Sequence, residues 1–418
     1  MFLCIIFRRG CAPGPAFKPI EPMTPPFRHA NPVELATALQ DARARTMSMF
    51  DCFAAAGLDA PANVPLLSVI NPPLWELGHL AWFAEWYILR EAESSDPTSA
   101  VRNSLLTKGD DWFDSNTVPH RQRWSLGLPG SGALQTYCRE VHDRVLDRLS
   151  RAAIDDAALY PYRLILAHED MHADAFAYTF QTLRVAPPAW LAALNTPARA
   201  QTEIRFAGGT ITIGTASDQP GFSFDNERGA HAVRLPAFAI DATLVSNAQY
   251  REFIADGGYQ NPALWTVGGR NWLMEQECGA PRAWLRDGNR WLCERFDRYI
   301  SLAADEPVRH VSLYEAQAYC TWAQRRLPSE AEWEMAARAG HPAFYWGDLW
   351  EWTSSPFEAY PGFAADAYRE YSAPWFGTHQ SVRGASFVTP ARMRSAHYRN
   401  FYPPHRNDMF IGFRTCAL

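Results

Sequence analysis

Residues 167–178 read AHEDMHADAFAY, the middle of an apolar-periodic run that extends from 160 to 183. The period is helical. His168 and His172 stand four residues apart, so their imidazoles fall within about 40° of each other on one face and can share a metal ion. Outward from this helix, the chain between Asn31 and about Leu194 carries three more such runs, at 33–57, 74–91 and 132–152, separated by Pro, Gly and Asp clusters. Four helices of this length predict a bundle. PPAWLAALNTPARA (187–200) reads as a Pro-bounded linker, after which short β runs such as GGTITIGT, glycine turns and many tryptophans take over. Ser246 three before Gln249, and Ser329 three before Glu332, each predict a capped helix start there. The expected organisation is a disordered, Pro-rich leader over 1–30, a helical bundle over 31–186, a linker over 187–201 and an α+β domain over 202–418.

At 418 residues and 47% hydrophobic content the chain can fill two cores. Its formal net charge of -6 is spread along the chain without a basic run, which argues against nucleic acid and membrane surfaces as partners. The eight cysteines form no C-x-x-C pair, so neither a disulfide framework nor a thiolate zinc site is indicated, and reduced thiols in the cytoplasm are expected. The opening MFLCIIFRRG has too short an apolar run for a signal peptide.

HEDMH also fits the H-E-x-x-H pattern of zinc proteases, which require a third ligand downstream. The histidine position six residues past His172 is Tyr178, and a Pro-rich stretch follows, so that reading fails. A third ligand can come from another helix of a bundle. LWELGHLAWFAEWYILR (74–90) offers His79, an imidazole in an apolar, aromatic helix where it needs a partner. Three imidazoles suit iron, copper, nickel or zinc, and on an octahedral ion they leave three positions open.

With this trio, the segments RLPSEAEWEMAARAG (326–340), WGDLWEWTSSPFEAYPGF (346–363), VRGASF (382–387) and YRNFYPPHRNDMFIGFR (398–414) resemble the ergothioneine sulfoxide synthases and, more closely, the related selenoneine synthases. The resemblance covers about 31–418. It implies an α plus α+β fold: a DinB-like four-helix bundle followed by a formylglycine-generating-enzyme-like domain of the C-type-lectin type. It implies Fe(II) on His79, His168 and His172, and the use of O2 to join selenium or sulfur to imidazole C2 of hercynine (trimethylhistidine).

The same resemblance implies a hercynine site at Asn400, with Arg399, with Tyr402 where sulfoxide synthases carry an acid, and with Met171 where they often carry Gln. Arg121 and Arg123 match the arginines that hold a donor's carboxylates. Tyr360 is the expected catalytic tyrosine, with Tyr368 and Tyr371 as alternatives, while Trp350 and Trp352 are expected in the core. Because VPHRQRW (118–124) matches the thiol-using pattern weakly, a selenosugar is the expected donor, and cysteine or γ-glutamylcysteine the alternative. A non-catalytic lectin-like binding protein is the reading of a different class, but it has no use for three converging histidines.

Overall fold

Asn31 opens the first long helix by accepting hydrogen bonds from the amides of Val33 and Glu34, while Glu34 reaches back to complete a capping box. A computed structural model describes residues 27–90, 104–193, 199, 201–216 and 218–418. Among these, four long helices build the N-terminal half: α1 (Pro32–Ala55), α2 (Pro73–Ala84), α3 (Ser131–Leu149) and α4 (Asp156–Leu183). α1 packs on α4, and α2 packs on the other three. Every residue of α2 is buried, Glu76 and His79 included. A helix buried all round belongs in the middle of its bundle. It runs on into a π-helical turn, Glu85–Arg90, where Glu85 accepts from Tyr137, Ser104 and the amide of Leu105. Such turns recur at functional sites.

Gly78 has a local reason to lack a side chain. A Cβ there would lie 2.2 Å from Phe113 Cε1, so the absence of one lets the 109–113 turn press against α2. That contact brings the carbonyl of Phe113 within reach of His79.

The C-terminal half is α+β. Its main sheet has four strands in the order Asn400–Tyr402, Gln380–Gly384, Trp350–Pro356 and Ile411–Gly412, the last pairing parallel and the others antiparallel. A three-stranded meander spans Trp284–Ser301, and two further ribbons pair Glu203–Phe206 with Phe238–Asp241 and Gly209–Ile213 with His231–Leu235. The capping boxes at Ser246 and Ser329 both form, and Ser312 with Glu315 adds another. Trp350 and Trp352 are buried. So are three Arg–Glu pairs that tie the sheet to its surroundings: Arg414–Glu351, Arg383–Glu334 and Arg399–Glu330.

Two boundaries differ from expectation. The proposed leader lies outside the described residues as far as 26, but Phe27–His29 form a 3₁₀ turn rather than a disordered tail. Phe27 is 1% exposed against Phe222, and Arg28 forks onto Glu227 at 2.6 and 2.7 Å, so an aromatic ring and a cation fasten this segment to the C-terminal half. In the expected linker, Ala189–Ala192 form a helical turn with Leu191 buried and Trp190 donating to the Ser48 hydroxyl; 194–198 and 200 lie outside the described residues. Among the described residues no helix is long and apolar enough to cross a membrane.

Candidate metal centre

α4 presents His168 and His172 to α2, and α2 answers with His79. One ring nitrogen from each lies within 4.8 Å of the others. Nε2 of His172 faces Nε2 of His168 at 3.1 Å. Nitrogens bound at about 2.1 Å to one ion and at right angles to each other are about 3.0 Å apart. The spacing of His168 and His172 therefore fits a shared ion.

Each ring is fixed from behind. Nδ1 of His79 donates to the Phe113 carbonyl at 2.8 Å, which leaves Nε2 as its ligand atom. Nδ1 of His172 pairs with Glu76, and Glu76 also accepts from Asn71 at 2.7 Å. Asn71 in turn accepts from Arg123, whose guanidinium lies 3.9 Å from the centre of the Trp75 ring. Trp75 stacks on His79, and Phe83 stacks on His168 with centroids 3.6 Å apart. Carboxylates and carbonyls in this second layer fix tautomers and raise ligand basicity. Burial, helped by the neighbouring His172, holds His79 at about 3 and His168 well below its ordinary value. Neutral imidazoles are the form that binds metal.

Two cavities flank the trio. The larger, about 400 Å³, opens at His79 and is walled by Trp82, Phe83, Trp86, Tyr368 and the 114–116 loop. The smaller, about 70 Å³, lies between α4 and the main sheet and is lined by Met171, Asp174, Trp350, Tyr398, Asn400 and Tyr402 among others. The structure thus gathers Met171, Asn400 and Tyr402 in one place. Burial pushes Asp174 there up to about 6, against hydrogen bonds from Thr389 and Trp350 that favour its charge.

Three expected site residues are elsewhere. Tyr360 sits in the far cluster with Ile213, Phe238 and Trp333, its ring 3.8 Å from the Arg399 guanidinium. The tyrosine that reaches the histidines is Tyr368, with ring centroids 5.8 Å from His168 and 5.0 Å from Phe83. The loop carrying it is tied to the bundle where the Tyr87 hydroxyl donates to the Ala367 carbonyl. Arg399 is fully buried on Glu330 and on the carbonyls of Asn226 and Glu358, so it braces the domain and does not reach the cavity. Arg121 is exposed at the surface, and Arg123 is engaged by Asn71 and the Val118 carbonyl.

Glu76 and Asp174 lie outside the motifs that mark the other site residues. Asp174 shares its stretch of helix with Asp170 and His172, but Glu76 is an acid on a helix that is otherwise apolar nearby, and such a group needs a partner. That was the available signal.

Residues 191–348 match the family described as "Sulfatase-modifying factor enzyme 1-like domain". Over 435 residues the chain is 32% identical to the hercynine oxygenase of Mycolicibacterium smegmatis, an alignment covering 91% of this chain and 97% of that protein. The chain belongs to the hercynine oxygenase family. A hercynine oxygenase from Mycobacterium tuberculosis is 33% identical, with 92% and 98% covered. The formylglycine-generating enzyme of Bos taurus is 37% identical over 156 residues, but that match covers only 34% of this chain and 41% of the other. Likeness to hercynine oxygenases therefore spans both halves, and so includes the helices that carry the histidine trio.

Proposed function

We propose that this chain is a metal-dependent oxygenase that takes hercynine and joins a chalcogen atom to its imidazole C2. The observation that carries the reading is the convergent, pre-oriented trio of His79, His168 and His172 in a member of the hercynine oxygenase family. We assign iron(II) to the trio, a DinB-like fold to the helical half and the cytoplasm to the protein. A bound iron(II) ion supplies the redox chemistry and brings the reactants within bonding distance.

The chain's own residues do the rest. Glu76 and the Phe113 carbonyl hold two imidazoles in register, and Trp82 and Phe83 wall the chamber that opens beside them. Tyr368 stays a neutral phenol, since burial raises it well above the ordinary value, and it stands beside His168 as a hydrogen-atom donor. Met171, Asn400 and Tyr402 form the hercynine side.

For the donor, we favour a selenosugar. The chamber at His79 offers the Trp82 and Trp86 rings with Ser115, Asn116 and Asp114, a wall suited to a polyol, and Glu370 there outweighs the single Arg369 together with Asp114. A thiol carrying carboxylates calls for a free bidentate arginine. Membership of the hercynine oxygenase family favours the second reading, an ergothioneine-type synthase using cysteine or γ-glutamylcysteine. Iron-loaded protein supplied with hercynine, air and each donor in turn, with mass spectrometry of the products, tests both. Selenoneine-type product from the selenosugar alone is expected; sulfur adduct from a thiol as the far better donor replaces the first reading with the second, and no adduct with any donor overturns both.

A further inference from the structure

One short turn, residues 225–228, holds both ends of the loop that brings Tyr368 to the histidines. At the start of that loop, Asp366 accepts through Oδ2 from Arg228 Nη2 at 2.5 Å and from the Tyr160 hydroxyl, while its Oδ1 accepts from the amide of Ala367 at 2.8 Å. At its end, the Ser372 hydroxyl donates to Asp225 Oδ1 at 2.5 Å. Ser372 and Asp225 are both buried. Gly229, directly after the turn, has φ +90°, and a Cβ there would lie 2.5 Å from the Pro361 carbonyl oxygen. A residue without a side chain therefore lets the chain leading into the loop press against the turn.

The turn is braced by the rest of the molecule. Arg28 forks onto Glu227, which also accepts from the amide of Phe224 at 3.0 Å. The Asn226 carbonyl accepts from Arg399 at 2.6 Å, and Arg228 donates to the Ser223 carbonyl at 2.9 Å. Buried polar networks satisfied in this way rigidify the segment that carries them.

Between its two ends the loop faces the site. Tyr368 and Glu370 wall the larger cavity, and Tyr371 lines the smaller. Tyr368 meets its surroundings through its ring, edge-on to Phe83 and His168 and tilted on Tyr371. The backbone of the loop decides how far such a side chain reaches, and that backbone is fixed where the turn grips it. The turn itself lines neither cavity, so it acts on the site through the loop.

We propose that Asp225 and Arg228 are positioning residues: by holding the two ends of the 366–372 loop, they set the distance and angle at which Tyr368 meets His168. This rests on the reading of Tyr368 as a hydrogen-atom donor. A misplacement of about 1 Å, caused by a change far from the chemistry, can cost about 100-fold in rate.

The test joins hydrogen exchange of the metal-loaded full chain, read by mass spectrometry, to turnover with hercynine, air and whichever donor reacts fastest. Arg228→Met should speed exchange of amides 366–372 at least 10-fold and lower kcat at least 10-fold, with exchange in α4 and metal content unchanged. Asp366→Asn releases the same tie from the loop side and leaves the turn intact, so it gives the same result even if Arg228→Met does not fold. Ser372→Ala, which frees the other end from Asp225, should act in the same direction. On a Tyr368→Phe background, each change should lower kcat less than 2-fold further, because no hydroxyl is left to position.

Unchanged exchange of the loop in these variants overturns the proposal. Faster exchange spread over the whole chain does so too, since the turn then only stabilises the fold, as does full additivity with Tyr368→Phe. If Tyr368→Phe turns over at the wild-type rate, or no donor gives product, the underlying reading fails, and exchange alone decides whether the turn holds the loop.

Discussion

In the C-terminal half, Arg414 and Glu351 are fully buried and meet through hydrogen bonds of 2.6 and 2.7 Å, and the other donors of Arg414 reach the carbonyls of Asp241, Ala242 and Tyr345. In α4, His168 is buried as deeply, yet its Nε2 meets only the Nε2 of His172. A third ring, His79, converges on the same point, so this pair does not close the set by itself. A buried polar group is costly unless something satisfies it. Where the chain itself closes every donor and acceptor, the group is architecture; where it leaves them facing one another, a ligand from outside completes the set. Arg414 with Glu351 stands on one side of this line and the histidine trio on the other.

The sharpest way to break the contrast is at an open group. His168→Ala should abolish stoichiometric iron(II) binding and turnover with the far-ultraviolet circular dichroism unchanged; full metal content after desalting would show that the trio is not the metal site. A closed group should behave in the opposite way. Glu351→Ala leaves a buried guanidinium without its counter-charge and should cost about 3–5 kcal/mol in urea unfolding, while whatever fraction folds still binds metal normally. A loss below about 1 kcal/mol would mean that Arg414 finds water and that the pair is not closed.

Glu76 lies between the two kinds, since it is satisfied by the chain and yet orients His172, one of the three candidate metal ligands. Glu76→Gln should weaken metal affinity about 10–100-fold, measured by competition with a chelator, with a smaller effect on folding. Arg121→Ala should be the quietest change, within about 0.5 kcal/mol of wild-type stability and without effect on the KM of any donor. A marked rise in KM for γ-glutamylcysteine would instead bring the surface arginine into the site and favour the thiol reading.

What could be read from the sequence was local. A four-residue spacing places His168 and His172 on one helix face whatever surrounds them, and a serine three residues before a glutamate or glutamine caps a helix by its own reach. His79 was found because an imidazole in an apolar helix demands a partner. Long-range closures could not be read this way. Arg399 meets Glu330 across 69 positions, and nothing beside either residue in the chain announces the pair. Tyr360 and Tyr368 are separated by one loop, and the path of that loop, fastened by Tyr87 to Ala367, sends one under Arg399 and the other to the histidines. Phe27 and Arg28 looked like the end of a Pro-rich tail because their partners, Phe222 and Glu227, lie nearly two hundred residues away.

The clearance at Gly78 couples packing to coordination. The Phe113 ring fills the space where any Cβ would stand, and the carbonyl of that same residue sets the tautomer and tilt of His79. Enlarging position 78 by one methyl group would lift the 109–113 turn away from α2 and withdraw that carbonyl. The imidazole would then be free to rotate or to present its other nitrogen. The orientation of a candidate ligand is thus set partly by an atom that is not there, in a residue with no side chain to contribute a ligand, a charge or a hydrogen bond.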